Sequence, residues 1–128
     1  MPIINYKGHL IEKVKDGSKP HTIRFGKRIY QVGQNAIHIT GMRTSGYVEH
    51  RRDLITSVEE ITVSCQRFKV EIHINGKHLT KAQANKLAIN DGFKNLTQFI
   101  EFFQLQHGTN FTLTGQLIQW QKPITYTS

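Results

Sequence analysis

The chain has 128 residues, enough for one domain around a single hydrophobic core and too few for two. Apolar residues make up 38% and charged residues 20%, as in soluble globular chains, and the apolar runs are too short for a membrane-spanning helix. Seventeen Lys and Arg against nine Asp and Glu give a net charge of +8, which favours an anionic partner, most often nucleic acid.

In chain order, residues 1–10, MPIINYKGHL, lack the apolar centre of a signal peptide, so the expected location is the cytoplasm. Leu10, Ile11 and Val14 stand at helical spacing and predict a short helix over residues 6–15, with Gly17 suited to its C-cap. Residues 28–32, RIYQV, read as a short strand followed by a turn at 33–35. Residues 36–43 alternate Ile37 and Ile39 with His38 and Thr40, as a half-buried strand does. Residues 44–53 are polar and read as a loop. Strands are expected at 54–63 and 67–74, where Phe68, Val70, Ile72 and Ile74 share one side. Asn75-Gly76 then signals a type I′ turn into a return strand. Thr80 suits the N-cap of a helix over 81–90. Residues 95–108 form the clearest helix, with Leu96, Phe99, Ile100 and Phe103 on one stripe and Gly108 at its end. Residues 111–121 read as a final strand or hairpin carrying Leu117, Ile118 and Trp120. Short turns between strands favour an α+β fold with an antiparallel, barrel-like sheet over a doubly wound one, in a single domain over 1–128.

The charge is concentrated. From Ser18 to Val48 the basic residues are Lys19, Arg24, Lys27, Arg28 and Arg43, with no acid, and Arg51 and Arg52 follow with only Glu49 between. Cys65 stands alone and cannot make an internal disulfide or a multi-thiolate metal site; it reads as a half-buried strand residue. The seven histidines are scattered and read as surface residues, so no metal site is expected, and no cofactor is implied.

The segment GSKPHTIRFGKR (17–28), the turn QVGQ and the strand AIHITGMRT resemble the opening of ASCH domains, small β-barrels of the PUA-like superfamily, and are most similar in kind to bacterial and phage members. The positions that carry the likeness are Gly17, Lys19, Thr22, Arg24 and Gly33. The segment LTKAQANKLAINDGFKNLTQFIEFF resembles the family's LA-x-x-DGF helix pair, and GQLIQW its closing strand. The resemblance implies a PUA-like antiparallel barrel with two or three short helices, whose cleft accepts RNA or nucleotide-like ligands.

Three readings stay open, the blandest being an interaction protein that keeps the fold without the chemistry. In the first, the chain is a nucleic-acid-binding module. Arg24, Arg28 and Arg43 would fork onto phosphates, with Lys19 and Lys27 as point charges. Thr22 and Thr44 would donate to phosphate or ribose oxygens, and His21, Tyr30 and Tyr47 would stack on unpaired bases. In an extended segment, Thr22 and Arg24 share one face, opposite Ile23 and Phe25. In the second, the resemblance to hydrolases of this family, an acetylcytidine amidohydrolase and a ribonuclease, makes Lys19 and Thr22 catalytic together with a glutamate on a later strand. Glu71 is one candidate. In another register the equivalent position falls near Thr56 or Ser57, with Glu59 and Glu60 nearby but out of phase.

Overall fold

The computed structural model describes residues 2–127. Strand β1 (Ile3–Tyr6) leads into helix α1 (Gly8–Asp16), which buries Ile11 and Val14 and stops where Gly17 turns left-handed at φ 85°. A side chain at that φ would be strained, so the glycine frees the chain to reverse into β2 (His21–Arg24). Strands β3 (Asn35–Thr40) and β4 (Val48–Leu54) form a hairpin. Strands β5 (Ser57–Gln66) and β6 (Lys69–Ile74) form another, joined by Arg67 and Phe68, both at positive φ. The Asn75-Gly76 turn, with φ of 50° and 81°, gives the short β7 (Lys77–His78), as the dipeptide predicts. Helix α2 (Lys81–Asn90) starts in a capping box made by Thr80 and Gln83. Helix α3 (Leu96–His107) is capped by the Asn95 side chain, and β8 (Phe111–Gln119) follows.

The strands build two sheets. One has the order β1-β3-β4, with β1 parallel to β3; the other has the order β2-β8-β5-β6-β7 and is antiparallel throughout. The fold is therefore α+β with mostly antiparallel pairing, and among the described residues the ladders do not close into a barrel. Strand β8 divides the interior. Adjacent strand residues point to opposite faces, so Leu117 joins the core under α2 and α3 with Ile61, Val63, Leu87, Phe99 and Phe103. Ile118 joins a second core with Ile4, Ile11, Val14, Ile55 and Trp120. No helix among the described residues is long and apolar enough to cross a membrane.

Several expectations are corrected. Residues 28–32 form no strand: the Gln116 amide serves that backbone instead, accepting from Tyr30 N at 2.9 Å and donating to Arg28 O at 2.7 Å. The expected loop at 44–53 contains most of β4, an edge strand whose polar sequence hides its pairing. Strand β3 is buried over four consecutive residues, His38 included, because it is the central strand of its sheet. Trp120 lies just past the end of β8 rather than within the final strand, and packs in the core against His38, ring centroids 4.5 Å apart. Cys65 is fully rather than half buried.

Candidate functional site

A cleft of about 920 Å³ opens where β1, α1, β2 and the α2–α3 junction meet. Its lining gathers Lys19, Thr22 and Arg24 from the basic segment, and adds Lys7, Lys13 and Lys94. Against these cations stand two carboxylates, Asp91 and Glu101. Tyr6, Phe93, Phe102 and Phe103 supply aromatic wall.

Arg24, Lys7, Lys13 and Lys19 are held before any ligand arrives. Arg24 sits over the Tyr6 ring at 5.4 Å, donates from Nε to Thr22 Oγ1 at 3.2 Å and from an Nη to Asn5 O at 2.9 Å. Lys7 lies over Phe102 at 5.0 Å, and Lys13 donates to Gly92 O at 3.0 Å. Strand β2 can seat Arg24 beside β8 because position 115 is glycine: a Cβ there would lie 2.3 Å from Arg24 O.

Lys19 is the unusual member, 2% exposed. Its ammonium donates to Asp91 O at 2.7 Å and to Asp91 Oδ1 at 3.0 Å. A buried charge without such a partner would cost several kcal/mol, roughly 3–5. Burial pulls the Lys19 ammonium below the usual lysine range, and Asp91 opposes that pull. Burial alone would raise the Asp91 carboxyl; the Lys19 charge and the His21 hydrogen bond outweigh it and hold the group below the usual carboxylate range. The close approach depends on Gly92, at φ 102°, where a Cβ would lie 2.9 Å from Leu10 Cδ2 and 3.5 Å from Lys19 Cδ.

Two buried histidines back this site. His21 meets Asp91 Oδ1 through Nδ1 at 3.1 Å and Tyr126 OH through Nε2 at 2.6 Å. His38 meets Tyr6 OH through Nδ1 at 2.9 Å and Asp53 Oδ2 through Nε2 at 3.0 Å. Arg51 holds the same Asp53 oxygen at 2.8 Å. Burial pushes His38 down to about 4 against the pull of Asp53, so near neutral pH the ring is uncharged. Nε2–H then donates to Asp53, and Nδ1 accepts from Tyr6.

Of the residues expected from sequence, Lys19, Thr22 and Arg24 come together in the cleft. His21 is fully buried with both ring nitrogens engaged, and Tyr30 belongs to a core; neither presents a face for base stacking. Lys27, Arg28, Arg43, Thr44 and Tyr47 are exposed and do not line the cleft. Thr44 caps its own turn, donating to Gly41 O at 2.7 Å. Glu71 lies on β6, opposite Ser64, and pairs with Lys69 at 3.4 Å; it does not line the cleft. Glu59, Glu60, Thr56 and Ser57 do not line it either. The carboxylate that meets Lys19 is Asp91, whose only sequence signal was its place in the DGF segment. The reading of all histidines as surface residues fails at His21 and His38, both 0% exposed.

Among the described residues no group of three or more His, Cys, Asp or Glu could hold a metal ion. A second, largely apolar groove of about 730 Å³ between the β5–β6 hairpin and helices α2 and α3 contains none of the binding or catalytic residues expected from sequence. No family model, no curated protein and no solved structure matches the chain.

Proposed function

We propose that the chain is an ASCH-type, PUA-like module whose cleft binds an anionic, nucleotide-like ligand, with RNA or a single strand as the natural source. The observation that carries this reading is the convergence of Lys19, Thr22 and Arg24 with Lys7, Lys13 and Lys94 on one cleft that holds two carboxylates. Cations fixed on rings and carbonyls need little reordering to meet phosphate oxygens, so less conformational entropy is lost on binding. The aromatic wall offers stacking surface, each base contact typically worth about 1–3 kcal/mol. Binding that neutralises phosphates weakens as salt rises. Anisotropy of a labelled single-stranded RNA tests it: affinity at low salt should fall when Arg24 and Lys7 are replaced by alanine.

A second reading has its own support. A buried lysine paired with a buried carboxylate, with a threonine hydroxyl lining the same cleft, supplies the residue types of a hydrolytic set. In that reading Lys19, Thr22 and Asp91 act on an amide or phosphoester of a nucleotide-like substrate, with Asp91 in the place expected of a glutamate. Turnover of acetylated cytidine or of RNA, lost in Thr22→Ala, is the outcome it requires.

A further inference from the structure

Behind the cleft lies a run of polar side chains deeper than ligand contact requires. His21, Tyr126 and Asn90 do not line the cleft, yet they form one chain of hydrogen bonds that ends on Lys19. Asn90 Nδ2 donates to Tyr126 OH at 3.0 Å. The same hydroxyl meets His21 Nε2 at 2.6 Å. His21 Nδ1–H then donates to Asp91 Oδ1 at 3.1 Å, the same oxygen that accepts from Lys19. An ionised carboxylate only accepts, so Lys19 and His21 Nδ1 are both donors to Asp91 Oδ1. The C-terminal segment is itself fastened: the Gln119 amide bonds both Ile124 N, at 2.9 Å, and Ile124 O, at 3.0 Å, which sets Tyr126 in place.

We propose that Tyr126 and His21 are positioning residues for Lys19: through Asp91 they hold its ammonium in the cleft and set the pH range over which it meets a ligand charged. A carboxylate in a small cavity can rotate about its own axis. Two donors on one oxygen remove that freedom and keep Oδ1 within 3.0 Å of Nζ. A purely structural plug would be met more cheaply by apolar side chains, since every buried polar group here carries a desolvation cost. Among the described residues, the charged and titratable groups that act on Lys19 are Asp91 at the end of α2, Tyr6 from β1, Arg24 from β2 and Lys13 from α1, with His21 reaching it through Asp91. Lys13 and Arg24 disfavour its charge, so the counter-charge falls to Asp91. Loosening Asp91 therefore makes Lys19 release its proton at lower pH. The role in ligand capture rests on the reading of the cleft as an anion site; the positioning itself does not.

The test follows the Lys19 Nζ and Cε resonances by NMR through a pH titration, in the whole chain without ligand. Tyr126→Phe removes one neutral hydrogen bond and is expected to lower the Lys19 midpoint by about 0.5–1 unit. Asp91→Asn removes the counter-charge and is expected to lower it by about 1–3 units. In Tyr126→Phe, affinity for a single-stranded RNA oligonucleotide should then fail at lower pH than in the wild type. Should Tyr126→Phe not fold, His21→Gln is read by the same shift. Identical Lys19 midpoints in the wild type and in a folded variant, with folding checked by thermal melting, overturn the proposal. Shifts as expected in a protein that binds no oligonucleotide at low salt support the positioning and remove the binding reading instead.

Discussion

The Lys19 ammonium lies 3.0 Å from the Asp91 carboxylate and 2.7 Å from the Asp91 backbone carbonyl, 72 positions further along the chain. Both partners are buried. The pair fastens the start of β2 to the end of α2 and decides which acid belongs to the cleft. Removing one partner leaves the other charge uncompensated. Asp91→Asn is expected to cost about 3–5 kcal/mol of stability by urea denaturation. The double variant Asp91→Asn with Lys19→Met should recover most of that loss, because no lone buried charge is left.

Stability should also depend on pH through His38. Its ionisation is pushed down to about 4 in the folded chain, against roughly 6.5 when unfolded. The unfolded chain therefore binds more protons between these values, and stability rises with pH across that window. On acidification from about pH 6.5 to about pH 4, this group alone should remove on the order of 3 kcal/mol. Urea titrations across the range should show that slope in the wild type and a shallower one in His38→Gln.

Gly92 is predicted to be intolerant of a side chain. At φ 102° an alanine is strained, and its Cβ would press on Leu10 Cδ2 at 2.9 Å. Gly92→Ala should lose about 1–3 kcal/mol and, by displacing Asp91, weaken RNA binding beyond what the stability loss explains. Thermal melting and anisotropy on the same sample separate the two effects.

Glu71→Gln should do little. Its carboxylate sits beside Lys69 on β6, outside the cleft. RNA affinity should be unchanged and stability should move by less than about 0.5 kcal/mol. A large loss of affinity would mean that the cleft extends to β6.

The sequence made legible what local chemistry decides. Thr80 and Gly108 bound their helices through caps within a turn of the end, and Asn75-Gly76 sets its turn by backbone preference alone. The alternation of β6 shows which side faces the core. Long-range partners stayed hidden. The segment 28–32 looks like a strand because nothing near it reveals that Gln116 supplies its hydrogen bonds. Strand β4 looks like a loop because an edge strand can be polar on both faces. Lys19, Thr22 and Arg24 could be grouped because they are neighbours in sequence and motif. Asp91 and Tyr126 reach the site only through tertiary folding, and no periodic pattern marks a polar side chain destined for burial.

Whether this cleft takes an anionic, nucleotide-like ligand is decided by fluorescence anisotropy of a labelled single-stranded RNA across a salt series. Wild-type binding should weaken steadily as salt rises. The double variant Arg24→Ala with Lys7→Ala, which leaves the buried Lys19–Asp91 pair intact, should bind about 10-fold or more weaker at low salt, with a shallower salt slope. Equal affinity and slope in the two folded proteins, or no binding by the wild type at low salt, would mean that this cleft does not bind RNA.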